Sequence, residues 1–185
     1  MYLCVWIDKD CMKRIFLIGY MGAGKTSVGK VMAERMSLSF VDLDFYIEGR
    51  FHKTISQLFE EKGEDGFREI ERKMLREVAM FEDVLVSTGG GAPCFFDNME
   101  FMNQTGTTVY LKVSPEELGK RLEPVKHTRP VLKGRYGDGL VGFIKDGLLK
   151  REPYYTQAKV VFDAENMLTE NDVVNIAKEL QKLLE

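Results

Sequence analysis

The sequence predicts an α/β fold: a three-layer sandwich in which helices cover both faces of a five-stranded parallel sheet. Short β-branched and aromatic runs alternate with helical patterns along the chain, as in a series of βαβ units. Several of those runs are apolar without a polar face, as strands covered on both sides are. The first run leads through a glycine-rich turn into a helix, an arrangement with a specific chemical use. At 185 residues, 44% hydrophobic and 30% charged, the chain suits one globular domain with a sizeable core.

Residues 1–11 read as an extension before the domain, from an upstream start codon. Asp8 and Asp10 interrupt their apolar stretch and no basic leader precedes it, so they do not form a signal peptide. The domain, residues 12–185, opens with a strand over Arg14–Gly19. Gly19-Tyr20-Met21-Gly22-Ala23-Gly24-Lys25-Thr26 follows and fits the phosphate-loop pattern G-x-x-x-x-G-K-[ST]. Its glycines let backbone N–H groups converge on a phosphate, and the helix read from Ser27 to Met36 adds its positive end. In that pattern Lys25 reaches the β- and γ-phosphates and the Thr26 hydroxyl ligates Mg²⁺.

A second strand, Ser39–Asp42, ends in Val41-Asp42-Leu43-Asp44. Strand alternation predicts that the two carboxylates point the same way, beside the loop, at the sheet edge where ligands bind. One suits Mg²⁺ and its water shell, the other a hydroxyl to be oriented or deprotonated. The alternative is that Asp44 only caps the next helix. Residues 45–81 read as a wholly helical insert, with breaks at His52-Lys53 and Lys62-Gly63. Within it Arg68 and Glu71 are three apart, on one helix face, so the carboxylate can hold the guanidinium. A third strand, Val84–Ser87, runs into Gly89-Gly90-Gly91, where backbone must approach something closely.

A fourth strand covers Thr107–Val113. Ser114-Pro115-Glu116-Glu117 is a capping box opening a helix to about Leu122. Residues 123–139 show little regular pattern and are rich in Lys, Arg, Gly and Pro; a stretch of that length reads as a lid. Arg129-Pro130 stands within it. The helix after it ends at Arg151-Glu152-Pro153-Tyr154, where the proline is expected to stop it and fix the direction of Arg151. The fifth strand is Lys159–Phe162, and Thr169-Glu170-Asn171-Asp172 opens a last amphipathic helix.

Composition narrows the function. A net charge of −3 argues against nucleic acid as the main partner. No run is long enough to span a membrane. Cys4, Cys11 and Cys94 are odd in number and lack zinc spacing, which suits a reducing cytoplasm; Cys94 reads as a small buried hydrophobe. His52 and His127 read as surface or lid residues. A GTPase would carry Asn-Lys-x-Asp, and Asn103-Gln104-Thr105-Gly106 lacks both Lys and Asp. A motor ATPase would end a strand in Asp or Asp-Glu, where this chain has Ser87-Thr88-Gly89. Small size, a helical insert and a basic lid point to a small-molecule kinase, and the arginines point to an anionic acceptor. A kinase acting on gluconate or a nucleotide and a non-catalytic nucleotide-binding regulator are the rivals.

Taken together, the motifs resemble those of the shikimate kinases: Gly-x-Met-Gly-x-Gly-Lys-Thr (19–26), Asp-x-Asp (42–44), Gly-Glu-x-x-Phe-Arg-x-x-Glu (63–71), Gly-Gly-Gly (89–91), Arg-Pro-x-Leu (129–132) and Arg-x-Pro-x-Tyr (151–155). The resemblance implies a nucleoside-monophosphate-kinase-like P-loop fold and transfer of phosphoryl from ATP to the 3-hydroxyl of shikimate, in aromatic amino-acid biosynthesis. It implies that Gly22, Ala23, Gly24, Lys25, Thr26 and Ser27 bind nucleotide, and that Thr26 and Asp42 serve Mg²⁺. Asp44 becomes the candidate base, and Arg68 and Arg151 grip the substrate carboxylate, with Glu71 supporting Arg68. Gly90 and Gly91 offer backbone N–H groups, Arg129 closes with the lid onto the transferring group, and Arg121 lies near the adenine. The expected protein is a cytoplasmic monomer with small-molecule partners. Two features depart from the usual pattern: Arg-Pro-Val-Leu stands where Arg-Pro-Leu-Leu is common, and Gly134, Gly137, Gly139, Gly142 and Gly147 crowd the stretch after the lid, blurring where its helix begins.

Overall fold

The computed structural model describes residues 13–128, 132, 136–167 and 169–185. The strands are β1 (Arg14–Ile18), β2 (Ser39–Asp42), β3 (Val84–Ser87), β4 (Thr107–Lys112) and β5 (Val160–Asp163). They form one sheet in the order β2-β3-β1-β4-β5, with every pair parallel. The chain leaves β1 for β2 on one side of the sheet and passes from β3 to β4 on the other. The carboxyl ends of β1 and β3, side by side at its centre, are therefore where a ligand crevice opens. All four residues of β3 and the last four of β1 are buried, as unbroken apolar runs require.

The helices are α1 (Lys25–Met36), α2 (Leu43–Phe51), α3 (Ile55–Val78), α4 (Asn98–Thr105), α5 (Pro115–Leu122), α6 (Gly137–Tyr155) and α7 (Glu170–Leu184). The predicted insert is α2 and α3: His52 ends α2 in a left-handed conformation, and Gly63 kinks α3 at φ 69°. Capping boxes of Thr54 with Gln57 and Thr169 with Asp172 open α3 and α7. The expected box at Ser114 is only half made. Ser114 Oγ accepts from Glu117 N–H, but the Glu117 carboxylate pairs with Arg121 and Lys120, and Ser114 N–H donates to Glu165.

Several expectations need correction. Lys25 and Thr26 belong to the first turn of α1, not to a loop before it, because Gly24 supplies the left-handed N-cap at φ 89°. β2 stops at Asp42, so Asp44 reaches the crevice from the first turn of α2, not by strand alternation. Asp42, not Asp44, caps that helix, its Oδ1 accepting from Asp44 N–H at 3.2 Å and Phe45 N–H at 3.4 Å. Pro153 does not stop α6, which runs on to Tyr155. The lost N–H would have served Leu149, an exposed residue whose carbonyl water can reach, and Thr156 N–H closes the turn on Glu152 O. Within 123–139, Glu123–Thr128 is a 3₁₀ turn and Gly137 already begins α6. Of the α6 glycines, Gly147 has a clear packing reason: a Cβ there would stand 2.5 Å from the Tyr20 hydroxyl. Residues 1–11 and Arg129 lie outside the described residues.

Candidate active site

A polar cavity of about 370 Å³ opens between the phosphate loop and the end of β3. Gly22, Gly24, Lys25, Thr26 and Ser27 line one wall; Asp42, Asp44, Gly89, Gly90 and Arg121 lie on the others. Ala23 does not line it: its side chain is fully buried and its N–H donates to Tyr20 O. Gly22 and Gly24 hold φ of 83° and 89°, which turn the loop over the start of α1. Lys25 is buried, its Nζ donating to Gly19 O at 2.9 Å and Tyr20 O at 3.0 Å. A groove of about 720 Å³ between β5 and α6 is larger, but none of the predicted residues faces it.

Thr26 and Asp42 meet directly, with Oγ1 donating to Asp42 Oδ2 at 2.7 Å. These are two hard oxygens beside a phosphate cradle. Among the described residues no cluster of three or more His, Cys, Asp or Glu could hold a metal. The two oxygens that meet here are the kind Mg²⁺ takes from a protein, with water and substrate phosphate completing its shell. The residues therefore fit the ion.

The glycine run separates this cavity from a cluster of charged side chains. A Cβ on Gly89 would lie 2.9 Å from both Asp44 Oδ1 and Glu71 Oε1, so both acids press on that backbone. On Gly91 it would lie 2.7 Å from both terminal nitrogens of Arg68, and on Gly90 3.3 Å from Arg151 Nη1. A side chain at any of these glycines would have to displace one or more of these groups. Arg68 Nη1 donates to Glu71 Oε2 at 2.8 Å, the contact their spacing predicts, and Nη2 reaches Glu64 at 3.3 Å. The Arg68 guanidinium sits among the rings of Phe95, Phe67 and Phe59, nearest Phe95 at 4.1 Å. Its Nε is buried without a hydrogen-bond partner among the described residues. Arg151 lies over the Tyr20 ring.

Burial and crowding set the charge states. Burial first, then the charge of Asp42, push the Asp44 carboxyl above its usual range, against Lys25 and Arg68. Glu71, 1% exposed, is pushed up to about 7 by burial, against the pull of Arg68. Cys94 is half-buried and its thiol is raised to about 11, mainly by burial, which fits the inert reading better than a reactive one.

Arg121 lines the nucleotide side. It is clamped by Glu117 at 3.0 Å and by the carbonyls of Ala164 and Glu165 at 3.0 and 2.7 Å. The sequence reading overlooked three residues here. Met167 lines the cavity and packs so close to Gly24 that a Cβ there would lie 1.9 Å from its methyl. Tyr155 donates to Gly90 O at 2.5 Å, and Thr88 ties the end of β3 to Leu17 O. Tyr155 already stood in the Arg-x-Pro-x-Tyr motif; Met167 follows β5 in a stretch with no pattern to mark it.

A phosphate-loop cavity abuts a pair of arginines here, with a carboxylate between them, and such an arrangement can serve phosphoryl transfer to a small acid. By class, the fold and site are those of a P-loop kinase of small metabolites. A profile of the shikimate kinases matches residues 21–181. A shikimate kinase of Parabacteroides distasonis is 69% identical over 173 residues, 94% of this chain and all of the relative. A solved shikimate kinase of Bacteroides thetaiotaomicron superposes with a TM-score of 0.90 at 55% identity, covering 94% of this chain and 98% of the other. One of Acinetobacter baumannii, solved in complex with shikimate, has a TM-score of 0.83 at 33% identity, covering 94% and 93%. The chain belongs to the shikimate kinase family.

Proposed function

We propose that the protein transfers the γ-phosphoryl group of ATP to the 3-hydroxyl of shikimate, giving shikimate 3-phosphate and ADP on the route to chorismate and the aromatic amino acids. The observation that carries this is the convergence of Asp44, Glu71, Arg68 and Arg151 on Gly89–Gly91, next to the phosphate loop. The shikimate-bound relative supports the same acceptor.

The triphosphate lies against the backbone of Gly22–Ser27, with Lys25 leaving its carbonyl partners for phosphate oxygens. Thr26 and Asp42 would hold Mg²⁺, which would supply charge neutralisation at the phosphates. Arg68 and Arg151 hold the acceptor carboxylate, and the ion pair with Glu71 fixes the direction of Arg68. Gly90 and Gly91 bring backbone N–H groups to the acceptor. Asp44 accepts the proton of the hydroxyl as its oxygen attacks phosphorus and the bond to the ADP oxygen breaks. A buried carboxylate of raised basicity suits that task. Arg129 on the 123–139 lid adds positive charge to the transferring group and helps exclude water. Catalysis on this reading is positioning and electrostatics, with no covalent enzyme intermediate.

We also propose that the protein is a cytoplasmic monomer; three cysteines, odd in number and without zinc spacing, suit a reducing compartment. Incubation with ATP and a panel of hydroxy acids and nucleosides tests the function. Phosphate should pass to shikimate and not to gluconate or nucleosides; transfer to another acceptor with shikimate inert overturns the reading.

A further inference from the structure

Three arginines of α3, Arg68, Arg72 and Arg76, stand at successive four-residue steps over about 12 Å of helix. Each packs on an aromatic ring from the chain after the glycine run: Phe95 at 4.1 Å, Phe96 at 5.0 Å and Phe101 at 4.6 Å. Asp97 Oδ1 accepts from Arg76 Nη2 at 2.7 Å and forms an ion pair with Arg72 Nη2 at 2.9 Å. Asn98, fully buried, bridges what remains. Its Oδ1 accepts from Arg76 Nη1 at 3.2 Å, and its Nδ2 donates to Ala92 O at 2.9 Å, one residue past the run.

Phe96 holds φ 52° while 54% exposed. A bulky side chain rarely adopts that conformation, and nothing about a solvent-facing ring requires it. The turn places Phe95 over Arg68 on one side and delivers Asp97 and Asn98 to Arg72 and Arg76 on the other. Strain of this kind persists only where surrounding contacts hold it, and the arginine ladder does so.

We propose that Asn98, backed by Asp97, is a positioning residue for the acceptor pocket: it locks the Gly89–Gly91 backbone in register with the helix that carries Arg68. The link itself touches neither the phosphate loop nor Gly89 and Gly90 where they line its cavity; it anchors the far end of the run, next to Gly91 and Arg68, so it governs acceptor affinity more than nucleotide affinity. This rests on the assignment of Arg68 and the glycine run to the shikimate side.

Steady-state kinetics of the wild type, Asn98→Asp and Asp97→Asn test it. Asn98→Asp preserves shape and the Arg76 contact but sets a carboxylate oxygen against the Ala92 carbonyl. Losing a buried donor of this kind predicts a rise of about tenfold in KM for shikimate. KM for ATP should stay within about twofold and kcat within about threefold. Asp97→Asn weakens the link from its solvent side without disturbing the core and should move KM for shikimate the same way, by about threefold. If Asn98→Asp does not fold, Asp97→Asn decides. Unchanged KM for shikimate, or equal rises in both KM values, overturns the proposal. A wild type inactive on shikimate instead overturns the acceptor assignment beneath it.

Discussion

Thr26 Oγ1 donates to Asp42 Oδ2 at 2.7 Å, while the other oxygen of the same carboxylate caps α2. One side chain thus serves the nucleotide side and the helix that presents Asp44. Asparagine caps a helix about as well as aspartate does. Asp42→Asn should therefore alter stability by less than about 0.5 kcal/mol in a urea titration. It should still raise the Mg²⁺ concentration needed for half-maximal turnover, because the charge facing the phosphates is gone. Asp42→Ala should show the same Mg²⁺ effect and also lose about 1 kcal/mol of stability with the cap.

Asp44 is buried near the charges of Asp42 and Glu48, with Lys25 and Arg68 as its opposing charges. Replacement by Asn keeps its size and removes its basicity. Asp44→Asn should lower kcat at least ~100-fold while nucleotide binding, followed by calorimetry with a non-hydrolysable ATP analogue, stays nearly intact. Unchanged turnover removes Asp44 from the role of base.

The phosphate loop, the five strands and the Arg68–Glu71 pair were legible because each depends on local pattern: a motif, an apolar run, a helical spacing. The paths by which side chains arrive were less so. Asp44 enters from a helix because Asp42 turns the chain as an N-cap, and a strand reading cannot see where pairing stops. α4 went unread because its eight residues are only weakly amphipathic and its buried face includes Asn98, a polar residue. The three rings around Arg68 come from segments 28 or more residues apart in the case of Phe95, a closeness that only the folded sheet creates.

Glu71 carries a pH signature. Its carboxyl is raised from 4.5 to about 7 in the folded protein, with burial as the main cause and Arg68 opposing it. The folded state therefore binds this proton more tightly than the unfolded state does. Its stabilising contribution is fully present below about pH 4.5 and is lost as pH rises through about 7. Glu71→Gln removes the titration. Urea unfolding at a series of pH values should show a decline between pH 5 and 7.5 in the wild type that is flattened in the variant. Asp44, shifted in the same direction, leaves a residual slope of the same sign at lower pH.

Gly91 tests whether the glycine run is built around Arg68. An added Cβ would lie 2.7 Å from both terminal nitrogens of that guanidinium. A flexible side chain often yields to such a methyl, but this one is held by Glu71 at 2.8 Å and packed among three rings. Either the guanidinium or the glycine backbone has to shift by several tenths of an ångström. Both belong to the acceptor side, and neither supports the phosphate loop. Overpacking of this kind typically costs about 1–3 kcal/mol. Gly91→Ala should raise KM for shikimate by about tenfold or more and leave KM for ATP within about twofold. Gly142→Ala, which meets nothing within 4 Å on α6, is the control for adding a methyl and should leave both constants unchanged. If the two variants behave alike, the close approach of Gly91 to Arg68 has no part in holding the acceptor.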